Sequence, residues 1–463
     1  MNLILIAAVW GIVMMLSGLF FKGTQNSIRF AFVGSLLLVG GAFADLYEYA
    51  FIHSDFNRLL VYDKFSNLFL LIISISLVFY FWLTAKEVVK VGAHGSEYFA
   101  LIFFVMAGAG LVTLFNNLLI LFLGIEILSI PLFILTGSDK RNLKSNEAAL
   151  KYFLMGAFST GILLLGIAFI YGATGSFQVT NYVAQGGDAA TVYYNIGLAL
   201  ILIALSFKVS AAPFHFWTPD VYDGAPTPFT SFMASIVKLA AFVGFAQLIM
   251  NGFANNSGQW RLTLAVLITL TLIVGNVTAV YQQSVKRMLA YSSIAQAGFM
   301  LMAVFASNDM AREGLLLYAA AYCLANIGIF AVLTKMKDYT YEGFNGLAAK
   351  QPLIAFCLAV FLMSLAGIPL TAGFFAKYFL LAAVVKTGGY LWLVITAVFF
   401  AAISVYYYFR VIQSMYFREV SESSGMIAET TGVFRFGLII VAAIIILLGI
   451  FPYQLLLNVL ALY

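Results

Sequence analysis

The sequence is poor in charge. Only 9% of its 463 residues are Asp, Glu, Lys or Arg, whereas 63% are hydrophobic. Soluble domains carry about 25% charged residues. No soluble fold can bury this much apolar surface, so the composition excludes a water-soluble protein and indicates one that is dissolved in a lipid bilayer. The formal net charge of +5 is too small to indicate nucleic-acid binding.

Cysteine and histidine are also scarce, with 2 Cys and 3 His in the whole chain. Cys323 and Cys357 lie in separate apolar stretches, which argues against a disulfide framework or a metal cluster. The chain lacks the Gly-x-x-x-x-Gly-Lys-Ser/Thr and Gly-x-Gly-x-x-Gly motifs that bind phosphates and dinucleotides. We therefore expect neither a cofactor nor a metal in this chain, and any associated electron transfer would take place in other subunits.

Long hydrophobic runs are what the sequence has in quantity. A hydrocarbon core about 30 Å thick needs about 20 apolar residues of helix. On that criterion the chain has about fourteen candidate spans separated by short polar loops, and we predict a single polytopic membrane domain over residues 1–463. The predicted spans are 2–21, 28–45, 64–83, 97–115, 117–136, 146–171, 192–217, 228–250, 261–281, 286–306, 312–335, 352–386, 389–416 and 432–456.

Basic residues are distributed unequally between the two sets of alternate loops. In short loops they favour the cytoplasmic side of the membrane. One set of loops carries fifteen: Lys22, Arg29, Lys86, Lys90, Lys140, Arg141, Lys144, Lys286, Arg287, Lys335, Lys337, Lys350, Arg410, Arg418 and Arg435. The opposite set carries five: Arg58, Lys64, Arg261, Arg312 and Lys386. This bias predicts that both termini face away from the cytoplasm.

Apart from the charges assigned to the loops and the ends of spans, five charged residues lie inside the predicted spans: Glu126, Lys151, Lys208, Lys238 and Lys377. A charge at the bilayer centre costs at least about 2.5–3.5 kcal/mol on insertion scales, so a functional role is favoured for this set. Structural alternatives remain for some of them. Lys151 could extend to the membrane interface, and Glu126 and Lys208 could form a static ion pair. His215, near the end of the seventh span, is either an interfacial hydrogen-bonding residue or a proton relay.

The seventh and twelfth predicted spans each contain a proline near a lysine, Pro213 after Lys208 and Pro369 before Lys377. Proline removes a backbone donor and frees a carbonyl, which needs a new partner inside a membrane. We therefore expect both helices to be broken. The two breaks lie five spans apart, and because five is odd, a repeated unit would cross the membrane in the opposite sense. The sequence thus predicts an all-α membrane protein with two inverted five-helix repeats, spans 4–8 and 9–13.

A series of motifs resembles, in the same order, subunit N of NADH-quinone oxidoreductase, an antiporter-like subunit in the membrane arm of respiratory complex I. The resemblance covers nearly the whole chain. The segments are GIEILSIP at 124–131, EAALKYF at 147–153, FKVSAAPFH at 207–215, YDGAPTP at 222–228, MLAYSSI at 288–294, AGIP at 366–369 and GFFAK at 373–377.

The resemblance implies a proton relay along the buried charges. Glu126 would be the acid of the fifth span and Lys208 its partner in the seventh. Lys238 would be the central lysine and Lys377 the exit-side lysine of the twelfth span. Lys151 matches a further lysine of the family. In such a relay, burial disfavours a charged ammonium group and a nearby carboxylate favours it, so a change around Glu126 and Lys208 would move a proton onward.

The resemblance also implies partners and a location. The chain would be a non-redox subunit of a proton-translocating enzyme in the inner membrane of a bacterium, assembled with other membrane-arm subunits, including neighbouring antiporter-like ones. NADH, FMN, iron–sulfur clusters and quinone would bind to other subunits. One alternative is a subunit of a multisubunit cation/proton antiporter, although a sodium site would need more buried carboxylates than Glu126. The other is a passive membrane scaffold.

Overall fold

The computed structural model describes residues 1–20, 23–47, 49, 58–92, 95–179, 182, 187–254, 257–420, 425 and 430–452. Over these residues the regular structure is helical, and β pairing is limited to isolated bridges. Thirteen of the described helices are long and apolar enough to cross a membrane. Two shorter helices in series, Pro352–Ala366 and Ala372–Thr387, make one further span. The prediction of an all-α protein with about fourteen spans is confirmed.

The helices follow one another with short connections. They are α1 (Asn2–Phe20), α2 (Thr24–Leu46), α3 (Lys64–Val88), α4 (Gly95–Leu114), α5 (Leu118–Thr136), α6 (Leu143–Thr174), α7 (Gly187–Lys208), α8 (Trp217–Gly224), α9 (Thr227–Gly252), α10 (Ser257–Tyr281), α11 (Val285–Ala306), α12 (Asp309–Leu333), α13 (Leu347–Lys350), α14 (Pro352–Ala366), α15 (Ala372–Thr387), α16 (Leu391–Phe417) and α17 (Gly432–Ile450). Lys22 and the predicted ends of the first and last spans, at 21 and 456, lie outside the described residues.

Short polar side chains in the loops begin several of these helices. The Asn117 side chain accepts a hydrogen bond from the backbone N–H of Leu119. At the starts of α11 and α12, the side chains of Ser284 and Asn308 likewise each accept a hydrogen bond from a backbone N–H of the first turn. Such caps satisfy backbone donors that have no partner in the first turn. Within each span the remaining backbone groups bond along the helix, as a lipid environment requires.

The seventh and twelfth spans are broken, as the sequence predicts. Helix α7 ends at Lys208 and α8 begins at Trp217, while α14 ends at Ala366 and α15 begins at Ala372. Each interruption contains a residue with positive φ, Ser210 at 64° in the first and Leu370 at 73° in the second. Left-handed backbone is costly for residues other than glycine. The Thr218 hydroxyl donates a hydrogen bond of 2.7 Å to Ser210 Oγ and helps to hold the first break.

The two predicted repeats pack in the same pattern. In spans 4–8, α4 packs against α5 and α9, and α6 packs against α7 and α8. In spans 9–13, α10 packs against α11 and α16, and α12 packs against α14 and α15. Because the second unit begins five spans after the first, an odd number, it crosses the membrane in the opposite direction. The two units therefore form the predicted inverted repeat.

The middle of the molecule is built from α9, α11 and α12, which are almost entirely buried among other helices. By contrast, most residues of α1 and α16 are at least partly exposed, as in helices that face lipid. The central helices carry Lys238 and the polar residues around it. A charge there is shielded from lipid by a complete layer of protein.

Candidate functional site

Lys238 lies in the middle of α9, directly after the π-helical turn Met233–Val237. Single turns of this kind are common at functional sites. The side chain is only 3% exposed. Its Nζ donates hydrogen bonds to the backbone oxygen of Ser293 at 2.6 Å and to Ser293 Oγ at 3.2 Å. No salt bridge of Lys238 occurs among the described residues, so neutral acceptors on α11 hold this ammonium group.

Lys377 binds to carbonyl groups at the break in the twelfth span. It lies in the second turn of α15, and its Nζ donates to the backbone oxygens of Leu365 at 2.8 Å and Ala366 at 3.0 Å. The last carbonyls of a helix have no partner within that helix, so the end of α14 supplies the acceptors. The ammonium also lies 4.7 Å from the centre of the Phe299 ring. The break thus creates a buried cation site.

Two glycines let the chain approach Lys377 closely. Gly367 has φ of 83°, and a Cβ atom there would lie 2.9 Å from Cδ of Lys377. At Gly373 an added Cβ would overlap the backbone oxygen of Ser364. Both positions therefore require glycine, the first for its backbone conformation and the second for the close contact between α14 and α15.

Polar groups connect the two central lysines. Ser292, next to the Ser293 that binds Lys238, is hydrogen bonded to the hydroxyl of Tyr408. Gln296 Nε2 donates to that hydroxyl at 3.0 Å and to the backbone oxygen of Leu365 at 2.8 Å. Leu365 is also the residue whose carbonyl binds Lys377. These contacts form a series from Ser292 to the carbonyl that binds Lys377, and Ser292 is adjacent in sequence to the Ser293 that binds Lys238.

A small cavity lies beside Lys377. Its volume is about 10 Å³, which is close to the smallest space that holds one water molecule. Gln296, Tyr318 and Tyr322 line it. The Tyr322 hydroxyl is buried and has no hydrogen-bond partner within the described part of the chain. A single water here would satisfy that hydroxyl and bring a mobile hydrogen-bonding group to Lys377.

Glu126 and Lys208 are neighbours without direct contact. Lys208 is the last residue of α7, and its Nζ donates a hydrogen bond of 3.0 Å to Ser129 Oγ on α5. Glu126 lies one turn before Ser129 and is close enough to act on the lysine charge. The described residues contain no salt bridge between the two. Ser129 therefore provides the direct contact, and Glu126 acts from a greater distance.

A second cavity lies between Lys208 and the central helix α9. Its volume is about 20 Å³, and its lining includes Lys208 and Ser129. On the opposite side it is lined by Val237 and Ala241 of α9, which flank Lys238 in the sequence. The space again suffices for about one water molecule. The cavity thus lies between Lys208 and the helix that carries Lys238, although Lys238 itself does not line it.

Lys151 is not a buried charge. Its side chain is 41% exposed and forms salt bridges of 2.8 Å with both Glu147 and Asp220. Asp220 also binds Arg287 at 3.1 Å. The structure therefore places Lys151 in a cluster of ion pairs at the surface, because the long side chain extends to the end of its span.

The ion pairs of Asp220 make this cluster sensitive to acid. Partial burial raises the pKa of Asp220, but Lys151 and Arg287 outweigh that effect and hold the pKa below its ordinary value. The pairs consequently stabilise the fold at neutral pH, and this contribution is lost as the pH falls below about 4. We expect Asp220→Asn to lower the thermal denaturation temperature at pH 7 and to approach the wild type only well below pH 4, where Asp220 is protonated in the folded protein as well. Asp188→Asn, at an exposed position, is the control. A deficit that stays constant with pH would contradict this expectation.

His215 stands apart from the connected lysines. It lies between α7 and α8, is 7% exposed, and has a buried Nδ1 atom without a hydrogen-bond partner among the described residues. The Phe216 ring lies 4.6 Å from the imidazole. Among the described residues His215 makes no hydrogen bond with Lys208, Lys238 or Lys377, so its assignment as a relay stays a prediction.

Lys286 is a buried lysine that the sequence reasoning placed in a loop. It is only 3% exposed, and its Nζ donates to the backbone oxygens of Asp223 at 2.9 Å and Ala225 at 2.7 Å. The assignment is wrong because α8 folds over the first turn of α11 and covers it. One signal was present in the sequence: Lys286 precedes Ser293 by seven residues, which places both on one face of a helix.

A row of hydroxyl groups runs along α9 from the neighbourhood of Lys286 towards Lys238. Thr227, Ser231 and Ser235 are spaced at intervals of four residues, so they share a helix face. The Thr227 hydroxyl is hydrogen bonded at 2.9 Å to Tyr339, whose ring lies 5.6 Å from the Lys286 ammonium. Ser231 Oγ is buried and unpartnered in the described part of the chain.

Comparisons with known proteins agree on one group. The family model described as "NADH:quinone oxidoreductase/Mrp antiporter, TM" matches residues 116–404. The chain is 42% identical to NADH-quinone oxidoreductase subunit N of Cytophaga hutchinsonii over 98% of each sequence. A chain in respiratory complex I from Thermus thermophilus with bound aureothin has a TM-score of 0.84 and 31% identity, with 98% of both chains covered. A chain of the Mrp complex from Dietzia sp. has a TM-score of 0.83 at 19% identity, covering 98% of this chain and 95% of that one, and shares the fold alone.

Proposed function

Because the chain belongs to the family of NADH-quinone oxidoreductase subunit N, we propose that it carries protons across the membrane as a non-redox subunit of that enzyme. It is a multi-pass protein of the bacterial inner membrane and assembles with the other membrane-arm subunits, including antiporter-like ones. NADH oxidation and quinone reduction take place in other subunits, which hold the FMN and the iron–sulfur clusters. The observation that carries the proposal is the connected series of buried lysines, hydroxyls and small cavities.

In the first step of the proposed relay, the environment of Glu126 controls the charge on Lys208. A carboxylate nearby favours the ammonium form, and a loss of that charge releases the proton. The cavity between Lys208 and α9 accommodates one water molecule, which would carry the proton to Lys238. Since Lys208 contacts Ser129 and not the carboxylate itself, a small movement of α5 relative to α7 changes the interaction without breaking a salt bridge.

In the second step the proton moves from Lys238 to Lys377. Tyrosine and serine hydroxyls both donate and accept hydrogen bonds, so Ser292 and Tyr408 provide a path between the two lysines. Gln296 holds Tyr408 in place and is also bonded to the carbonyl that binds Lys377. Lys377 then releases the proton on the far side. Lys286 and the hydroxyl row of α9 are the proposed entry to Lys238.

The proposed orientation places both termini away from the cytoplasm, which follows from the excess of basic residues in one set of loops. Arg141 and Lys386 are exposed at opposite ends of the protein, and the two native cysteines are buried. A cysteine at position 141 should therefore react with an impermeant maleimide in inverted vesicles and one at 386 in right-side-out vesicles. The opposite pattern would reverse the assignment.

The coupling between Glu126 and Lys208 can be measured with a double-mutant cycle. We expect Glu126→Gln and Lys208→Met each to lower proton pumping, and the double variant to lose less than the sum. Two charges at intermediate distance in a protein interact by about 1–2 kcal/mol, which sets the expected coupling. Proton uptake into vesicles containing the purified complex is the measurement. Glu126→Gln combined with Lys90→Met, at an exposed lysine, is the additive control. Additive losses in the main cycle would mean that Glu126 and Lys208 do not interact, and would contradict the gating role.

The alternative of a cation/proton antiporter and the alternative of a passive scaffold predict different partners and phenotypes. Purification through an affinity tag on this chain should recover subunits that contain iron–sulfur clusters, together with NADH oxidation. Recovery of antiporter subunits alone, with sodium-dependent proton exchange, would contradict the redox assignment. A scaffold would retain pumping after the buried lysines are replaced by methionine.

A further inference from the structure

A groove of about 940 Å³ opens where α10 and α16 end. The residues that line it include Arg410 and Arg418, and none of them is acidic. Arg410 lies in the last two turns of α16, and Arg418 follows its final residue. The groove is therefore a positively charged recess at the end of two membrane spans, far from the relay lysines in sequence.

Neutral groups hold the guanidinium of Arg410 in place. Its Nη1 atom donates to the backbone oxygen of Gln282 at 3.3 Å, and its Nη2 atom donates to Oε1 of Gln283 at 3.1 Å. The guanidinium carbon lies 3.9 Å from the centre of the Tyr341 ring. Among the described residues Arg410 forms no salt bridge. A guanidinium has five N–H donors, so some remain for a ligand. Arg410 is thus a pre-positioned charge without a counter-ion among the described residues.

Large aromatic side chains border the groove. Tyr281 is 75% exposed and Phe417 is 81% exposed. Aromatic residues with such exposure at the ends of spans are typical of the membrane–water interface. Further along the same two helices, Val277 and Phe399 are also exposed and face outward. A ligand in this groove would meet positive charge at headgroup depth and apolar surface below it.

We propose that the groove binds an anionic phospholipid. The phosphate lies between Arg410 and Arg418, and the acyl chains follow the exposed apolar surfaces of α10 and α16. Basic pockets between transmembrane helices bind anionic headgroups in this way. A soluble anion would leave the apolar part of the surface uncovered, and a zwitterionic lipid would leave the two arginines uncompensated. The combination of charge and apolar surface therefore favours an anionic lipid.

The test uses the whole complex in nanodiscs of phosphatidylcholine that contain a photoreactive phosphatidylglycerol. Peptide mapping after illumination should place cross-links at Tyr281 and Phe417. Photoreactive phosphatidylcholine should label these positions several-fold less. Each basic residue near an anionic surface contributes about a fivefold change in affinity. Arg418→Gln should therefore reduce the phosphatidylglycerol labelling by about that factor, and the double variant with Arg410→Gln should reduce it further.

Arg418→Gln is the informative single variant because Arg418 is exposed and its replacement leaves the contacts of Arg410 intact. The matched control is Arg141→Gln, which removes an exposed arginine elsewhere and should leave labelling at the groove unchanged. Equal labelling by the two lipids would overturn the proposal, as would an unchanged preference in Arg418→Gln. Absence of labelling at these positions in the intact complex, as expected if a partner subunit covers the groove, would overturn it as well.

Discussion

Replacement of Lys238 by methionine should reduce proton pumping by about 100-fold or more, which is the size of effect expected when a positioned proton-transfer group is lost. Methionine fills a similar volume and introduces no charge, so we expect the complex to assemble. Lys238→Arg should be nearly as inactive, because a guanidinium does not release its proton at physiological pH. The measurement is proton uptake in reconstituted vesicles during NADH oxidation, with assembly followed on native gels.

Lys90→Met is the control for this experiment. Lys90 is also a lysine, but its side chain is 65% exposed and pairs with Glu87 at the surface. Its replacement should leave pumping within the error of the wild type. If Lys238→Met pumped normally in an assembled complex, Lys238 would have no place in the relay. If Lys238→Arg pumped normally, the residue would serve only as a fixed positive charge.

Gly373→Ala should also abolish most of the pumping, although it adds a single methyl group. The added Cβ would overlap the backbone oxygen of Ser364, so α15 must move away from α14. That movement separates Lys377 from the carbonyls of Leu365 and Ala366, which are its acceptors. We expect a loss of about tenfold or more, together with a lower denaturation temperature, because overpacking of this kind typically costs about 1–3 kcal/mol.

Gly161→Ala is the matched control because a Cβ at Gly161, in the middle of α6, meets no atom within 4 Å. That variant should keep full activity and gain slightly in helix stability. Normal pumping in Gly373→Ala would mean that the contact between α14 and α15 does not position Lys377. A loss of equal size in both variants would point to a general intolerance of alanine in these helices.

The spans and the two helix breaks could be predicted because each follows from local chemistry. A run of about 20 apolar residues satisfies its backbone hydrogen bonds in a bilayer by forming a helix. Pro213 and Pro369 remove backbone donors that such a helix needs. The five-span interval between the breaks is enough to predict the inverted repeat, because five is an odd number. Glu126, Lys208, Lys238 and Lys377 could be selected as candidates because a charge within an apolar run is costly wherever the run packs.

Burial near the ends of helices could not be predicted in this way. Lys151 and Lys286 are both within a few turns of a helix end. The sequence left open whether Lys151 is buried or extends to the interface, and it placed Lys286 in a loop, although Lys286 is buried. The Lys151 side chain is free to extend to the surface, where Asp220 binds it. Lys286 is covered because α8 lies over it. The outcome depends on which helix packs above the residue, and no local pattern encodes that.

The sequence by itself determined that this is a multi-pass helical membrane protein, where two of its helices break, and which buried charges need an explanation, since all three follow from the cost of polar groups in lipid. The tertiary structure alone decided how those charges are connected. Ser292, Gln296 and Tyr408 come from α11 and α16, and they meet only when the helices pack. Hydrogen bonds act over about 3 Å, so such a path exists in the packed protein and cannot be read from residue spacing along one chain.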